Sequence, residues 1–488
     1  MLIVKILLKM LKNRRKTRVG RSSKSQTSVT EKETRVRRSS RELVDIEKPV
    51  KFDLTKEKKA ILNILENSTN NVFLTGKAGT GKSAFLKHFR ITTKKNVVVL
   101  AFTGVAAVNV QGQTIHSFFK FHPQTTTDNI KKKRGNAAKI YKKIEVIIID
   151  EISMVRADLL DCVDKFMRLN GPRSDKPFGG VQVLAIGDLF QLPPVVMRGE
   201  EMFFSKVYKS PYFFDSNVYR QFGFIKKELT EVYRQDKEEQ DKFIKTLDNL
   251  RVCSFNSDDI RLINSRFDPI YEKPENEFII SLVPTNRMAD NINMRELSKL
   301  AAKQKTYTGT ITGEFKERDL PTAQKLILKE GAQVMLLNND PYQKWINGDI
   351  VKVIKTGPNF VRVLFDDGTF DDVGIVEWNA IKFVFNEKTQ KIESEDMGSF
   401  TQLPIKLAWA VTIHKGQGKT FDKVHIDFGN GTFAPGQAYV ALSRCRTLEG
   451  MVLTSEVKER YVFTDERIKE FMNAKVKGRL DLWQEDKA

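Results

Sequence analysis

The octapeptide Gly76-Lys77-Ala78-Gly79-Thr80-Gly81-Lys82-Ser83 decides how this chain folds. It fits the phosphate-binding loop pattern at every specified position. Its flanks agree: the run Asn71–Leu74 reads as an entering strand and Ala84–Phe89 as a leaving helix. Glycines let backbone N–H groups turn inward around phosphate oxygens, and the following helix adds the positive end of its dipole. Gly76, Ala78, Gly79, Thr80 and Gly81 are therefore the candidate cradle for a nucleoside triphosphate. Lys82 is placed to reach the β- and γ-phosphates, and Ser83 to bind Mg²⁺.

Outward from the loop, short runs rich in Val and Ile alternate with helical stretches: Val97–Ala101, Val146–Ile149 and Val181–Ile186. Such runs are buried parallel strands of an α/β fold. The run Val146–Ile149 ends in Asp150-Glu151. Carboxylates at the C-terminal end of a buried strand face the crevice where ligands bind. Asp150 is the candidate metal ligand and Glu151 the candidate base for an attacking water. After Val181–Ile186 comes Gly187-Asp188-Leu189-Phe190-Gln191-Leu192-Pro193-Pro194, in which Gln191 can hydrogen-bond a γ-phosphate and sense its loss.

These features predict an NTPase without saying what it drives. Further on stand Tyr233-Arg234-Gln235, Thr412-Ile413-His414-Lys415-Gly416-Gln417-Gly418-Lys419-Thr420 and Tyr439-Val440-Ala441-Leu442-Ser443-Arg444-Cys445-Arg446. A second α/β lobe bearing arginines can close over a triphosphate held by the first, and arginines supplied this way are worth about 10³–10⁵ in rate.

Taken together, these segments resemble the superfamily 1 helicases of the five-prime-to-three-prime branch, and in detail the PIF (petite integration frequency) DNA helicases, related to the RecD-like helicases. The resemblance spans about Leu54–Thr454. It includes Ala101-Phe102-Thr103-Gly104-Val105-Ala106-Ala107, Gln113-Thr114-Ile115-His116-Ser117-Phe118, Pro177-Phe178-Gly179-Gly180 and Val283-Pro284-Thr285-Asn286. It implies ATP and Mg²⁺ as cofactors, with Lys82 and Ser83 on triphosphate and metal, Asp150 as metal ligand and Glu151 as base. Gln191 would couple the γ-phosphate to movement, and Arg234 and Arg444 would be the arginine fingers. Thr103, His116, Thr285, Thr412 and His414 would lie along single-stranded DNA, mostly at its phosphates. The implied partners are single-stranded DNA and duplex forks, met by a monomer. The implied pathways are replication, repair and recombination. An RNA helicase of the same superfamily and a nucleotide-gated clamp that does not translocate stay open as alternatives.

The implied fold is α/β: two RecA-like domains with parallel sheets, a small wedge at about 117–143, and an inserted antiparallel barrel resembling Src-homology-3 domains. Residues 51–225 are expected to form the first RecA-like domain. Residues 226–330 and 403–475 would form the second, with the barrel at 331–402 between them. In the barrel region Val361, Val363 and Phe365 alternate with Arg362 and Leu364, and turn signals fall at Asn347-Gly348, Gly357-Pro358 and Asp366-Asp367-Gly368. The wedge carries Lys131, Lys132, Lys133, Arg134, Lys139, Lys142 and Lys143, which suit either a DNA fork or a solvated helix face. One position departs from the family: Lys58 stands where its adenine-reading glutamine is expected, and an ammonium has no acceptor for the adenine amino group.

Composition agrees. The chain has 488 residues and a formal charge of +21. Residues 1–50 hold 15 Lys and Arg against 5 Asp and Glu, so a basic tail precedes a moderately basic body. Excess positive charge of this kind suits a polyanion. The tail reads as a disordered extension, with a transit peptide or a DNA-binding arm as alternatives. Residues 476–488 read as a short C-terminal tail. Cys162, Cys253 and Cys445 lack metal-ligand spacing and read as reduced thiols of an intracellular protein. The compartment is open between a bacterial cytoplasm, a mitochondrion and a nucleus. No apolar run is long enough to span a membrane.

Overall fold

The computed structural model describes residues 54–474 apart from 123–124, 136–137, 197–198, 232–237, 275–276 and 343. The basic tail, the C-terminal tail and Arg234 lie outside the described residues.

The first lobe is built on six parallel strands: β1 (Val72–Gly76), β2 (Val97–Ala101), β3 (Gln113–Thr114), β4 (Val146–Asp150), β5 (Gln182–Ile186) and β6 (Ile225–Leu229). Their order is β3-β2-β4-β5-β1-β6. The central strands are buried on both faces, as near-continuous Val and Ile runs require. One face packs on the helices Lys56–Asn67 and Lys82–Thr92 through Ile61, Leu65, Phe85 and Phe89. The other packs on the helix Ala157–Asn170 and an aromatic group including Phe119, Tyr141, Phe166 and Phe213.

β7 (Ile280–Val283) opens the second sheet, and the chain then leaves it for a long antiparallel excursion. The excursion comprises β8 (Lys305–Thr308), β9 (Thr310–Gly313), β10 (Lys325–Leu328), β11 (Gln333–Leu336), β12 (Ile350–Thr356), β13 (Phe360–Leu364), β14 (Phe370–Gly374), β15 (Val376–Asn386), β16 (Lys391–Gln402) and β17 (Ile405–Leu407). The chain returns as β18 (Ala410–Thr412), β19 (Val424–Ile426) and β20 (Met451–Leu453), completing a parallel sheet of order β18-β7-β19-β20. In the antiparallel part, β14-β13-β12-β11-β17 form one sheet, with Val361 and Val363 pointing inward as their alternation predicts.

Several expected divisions fall elsewhere. Ile225–Leu229, placed at the start of the second lobe, pairs in parallel with β1 and is the edge of the first sheet. The antiparallel unit starts well before residue 331: β9 pairs with β16, and Tyr307, Leu326 and Leu328 share a core with Val351 and Val363. The helix Glu466–Asn473, assigned to the second lobe, packs on the first, with the Phe471 ring stacked 4.2 Å from that of Phe214. The hairpin β15–β16 also reaches the first lobe. The Phe383 N–H donates to Gln113 Oε1 at 3.0 Å, Glu387 pairs with Lys139, and Lys143 lies over the Phe385 ring. Part of the wedge's basic cluster is thus engaged with protein, while Lys131, Lys132 and Arg134 are exposed. Trp345 and Trp378 are buried, and no described helix is long and apolar enough to cross a membrane.

Candidate active site

The phosphate loop, Asp150-Glu151 and the Gly187–Pro194 segment follow β1, β4 and β5, which are neighbours at the centre of the first sheet. Their C-terminal ends therefore meet, as ligand sites of open α/β sheets do. Gly81 caps the helix Lys82–Thr92 with φ 84° and ψ 23°, a left-handed conformation that only glycine adopts at little cost. Lys82 Nζ donates to the carbonyls of Gly76 at 2.6 Å and Lys77 at 2.9 Å. Thr80 is buried and its hydroxyl also donates to the Lys77 carbonyl.

Burial lowers the Lys82 pKa, against the pull of Asp188 and Glu151. Burial raises the Asp150 carboxyl. Burial and then the adjacent Asp150 carboxylate push Glu151 up to about 7, against Lys82 and a hydrogen bond from Gln417. These oxygen donors fit a hard cation such as Mg²⁺. Such an ion would be held through one or two carboxylates plus substrate phosphates rather than by an all-protein cage.

Gln191 is buried, and its Nε2 lies 3.3 Å from Asp188 Oδ2. Arg444 is also buried. Its guanidinium donates to the Val440 carbonyl at 2.8 Å, the Lys419 carbonyl at 2.9 Å and the Ser443 hydroxyl at 2.8 Å. Lys82, Glu151 and Arg444 are within electrostatic reach of one another.

The lobes meet at this same place, through second-lobe residues to which the sequence assigns no role. Arg251, in the helix Glu238–Val252, grips Asp188 with Nη2 at 2.8 Å and Nε at 3.2 Å, with side chains 4% and 0% exposed. Its guanidinium also covers the Phe190 ring at 4.6 Å. Lys77 pairs with Asp248 of the same helix. Gln417 donates to Glu151 Oε2 at 3.1 Å, and the Ala78 amide bonds the Tyr439 hydroxyl. Gln417 and Tyr439 stood inside quoted segments. Asp248 and Arg251 gave no signal beyond charged positions on an amphipathic helix.

The five residues expected along DNA share one local device. Thr103, Thr285 and Thr412 are each the N-cap of a helix, accepting from Ala106 N at 3.2 Å, Met288 N at 3.3 Å and Lys415 N at 3.2 Å. His116 and His414 both follow such a cap in the tripeptide Thr-Ile-His, as Thr114-Ile115-His116 and Thr412-Ile413-His414. The caps follow β2 and β3 in the first sheet and β7 and β18 in the second, and each pair of strands is adjacent. The two lobes thus present the same pair of capped helix starts, a duplication too short to register as a sequence repeat. Phe433, 63% exposed, lies nearly parallel to the His414 ring at 6.3 Å.

The sequence model of the PIF1-like helicase family matches residues 53–260. An ATP-dependent DNA helicase Pif1 of Bdellovibrio bacteriovorus is 32% identical over 413 residues, covering 82% of this chain and 88% of that protein. The chain belongs to the PIF1-like helicase family. The ATP-dependent DNA helicases Pif1 of Psychrobacter and PIF1 of Homo sapiens are 32% and 30% identical, and the chain spans only 66% and 60% of their lengths. Among solved structures, Bacteroides Pif1 with ADP-AlF4 is 38% identical with a TM-score of 0.80, covering 86% of this chain and 96% of that one. The same PIF1-like helicase bound to single-stranded DNA superposes at 0.62, at equal identity and coverage.

Proposed function

We propose that this chain is an ATP-dependent DNA helicase that travels five-prime to three-prime on single-stranded DNA and opens the duplex ahead of it. The observation that carries the reading is the site between the lobes. Lys82, Asp150, Glu151, Gln191 and Arg444 converge from both lobes at one cleft, in a family whose named members are ATP-dependent DNA helicases. Lys82 and Ser83 would hold the triphosphate, and Ser83 and Asp150 a Mg²⁺ ion that supplies charge neutralisation at the phosphates. Glu151 would take the proton of the attacking water. Arg444, with Arg234 as its proposed companion, would turn to the γ-phosphate when ATP draws the lobes together.

The capped helix starts bearing Thr103, His116, Thr285, Thr412 and His414 would meet phosphates of the strand, since N–H groups and threonine hydroxyls favour anions there. Phe433 beside His414 offers a face on which a base can stack. The two Bacteroides structures support a DNA-linked change of arrangement, because this chain superposes better on the one with nucleotide alone than on the one with DNA. If each lobe's grip alternates with closure, hydrolysis yields directed steps. Opening one base-pair step costs about 1.4 kcal/mol of stacking, a modest demand on each ATP. The work would be in replication, repair and recombination, by a monomer acting where single-stranded DNA is exposed.

The test is strand separation on duplexes bearing a five-prime or a three-prime single-stranded tail, with ATP and Mg²⁺ and Lys82→Ala as control. Unwinding of the five-prime-tailed substrate alone, lost in the control, is the expected result. Tight DNA binding and DNA-stimulated hydrolysis without unwinding of either substrate would replace the helicase with a clamp. Stimulation by RNA but not DNA would move the substrate class.

A further inference from the structure

We propose that Gln417 is a positioning residue that restrains Glu151 while the DNA-facing segment of the second lobe is empty, so that DNA binding releases the base for hydrolysis. The inference rests on the proposed roles of Glu151 as base and of Thr412 and His414 as DNA contacts.

Glu151 belongs to the first lobe. It has φ 51° and ψ 48°, a left-handed conformation uncommon for a residue with a side chain, and its neighbours hold it there. Its carboxylate accepts the Gln417 Nε2–H at 3.1 Å. Gln417 belongs to the second lobe and ends the short helix Ile413–Gly416, with its own N–H on the His414 carbonyl at 3.2 Å. Thr412 caps the other end of that helix. The glutamine on the base is therefore one helical turn from the residues proposed to meet DNA phosphates. A shift of that turn towards a phosphate moves Gln417 with it.

The next residues extend the link. Gly418, at φ 76°, turns the chain so that the Lys419 carbonyl accepts from Arg444 Nη1 at 2.9 Å. One stretch, Thr412–Lys419, thus touches the proposed DNA contacts, the base and one arginine finger. The chemistry suits a releasable restraint. An uncharged amide occupies a carboxylate lone pair that would otherwise hold water, and it leaves without stranding a charge. Lys82 and Arg444 also face Glu151, so its charge keeps cationic partners after release, against the adjacent Asp150 carboxylate.

The experiment compares ATP hydrolysis without DNA and at saturating oligo-dT for the full chain, Gln417→Met and Gln417→Ala, with Glu151→Gln as a control. Melting curves establish that each variant is folded, and Gln417→Met keeps the side-chain bulk should Gln417→Ala not fold. DNA-independent hydrolysis is expected to rise about tenfold, as loss of a hydrogen bond to a charged group allows, while the DNA-saturated rate changes less than about twofold. The stimulation ratio then falls about tenfold. An unchanged ratio, or a parallel fall of both rates, overturns the proposal. Activity retained in Glu151→Gln would instead overturn the assignment of the base, and the proposal with it.

Discussion

The pair Arg251–Asp188 sets a measurable value on the contact between the lobes. Arg251→Met keeps most of the side chain's length and apolar stem but removes the charge and all of its donors. Asp188 would remain buried, hydrogen-bonded by the Phe190 N–H at 3.2 Å and the Gln191 amide at 3.3 Å, with Lys82 as the cation left within electrostatic reach. Removing one partner of a buried pair costs about 3–5 kcal/mol, because the other charge is left uncompensated. Loss of the guanidinium over the Phe190 ring adds about 0.5–2 kcal/mol. Asp188→Asn alone should also destabilise, whereas the double variant should cost well under the sum of the two. The double-mutant cycle would then show a coupling of about 2–3 kcal/mol.

The pH dependence fixes the sign. In the native protein burial raises the Asp188 pKa, but Arg251, Lys82 and the Phe190 N–H together outweigh it, and the net shift is downward. A depressed carboxylate contributes stability above its unfolded pKa, and that contribution is lost as pH falls through the folded one. Without Arg251 burial dominates, the folded pKa rises, and the folded state gains protons at mildly acidic pH. The deficit of Arg251→Met should therefore be larger at pH 7.5 than at pH 5. Urea unfolding followed by circular dichroism and tryptophan fluorescence measures both. A cost below about 1 kcal/mol, or a deficit that grows on acidification, would refute the reasoning.

Three further outcomes are expected. Hydrolysis should rise with pH through about 7, because burial and then Asp150 hold Glu151, the proposed base, protonated below it; a kcat profile flat from pH 6 to 8 would argue against Glu151 as base. GTP should support hydrolysis within about tenfold of ATP, since no hydrogen-bonding glutamine at position 58 discriminates the base; Lys58→Gln should restore a preference for ATP, read from kcat/KM. Phe433→Ala should weaken oligo-dT binding by about 1–3 kcal/mol while leaving its salt dependence unchanged, because stacking releases no counterions. Fluorescence anisotropy at several salt concentrations separates the two effects.

Local chemistry made the site legible in the sequence; long-range pairing did not. A glycine-rich loop between an apolar strand and a helix announces itself within twenty residues, and so do two carboxylates at a strand's end. The same reading missed Ile225–Leu229 as the edge of the first sheet, because its partner, β1, lies 150 residues upstream and its burial is only partial. The hairpin β15–β16 shows the same limit: its docking on Gln113 and Lys139 depends on a surface from another part of the chain. Arg251 is the sharpest case. In sequence it is one more arginine on an amphipathic helix, where a surface ion pair is the ordinary expectation, and only the fold buries it against Asp188.

That contact would couple the proposed nucleotide chemistry to movement of the lobes. Apart from the hairpin's contacts with Gln113 and Lys139, the bonds to the first lobe described above end on a residue of the proposed nucleotide site or its neighbour: Lys77 and Ala78 in the phosphate loop, Glu151 beside the proposed metal ligand, Asp188 beside the proposed γ-phosphate sensor. Gly436 brings the second lobe's backbone so close that a Cβ there would sit 2.4 Å from the Phe190 carbonyl oxygen and 2.8 Å from that of Gln191. With φ 73° and no room for a Cβ, this position admits only glycine. A displacement at Gln191, as its hydrogen-bond partner changes, would be felt by the second-lobe backbone at Gly436. Packed interfaces of this kind switch between arrangements rather than deform smoothly, as the proposed stepping would require.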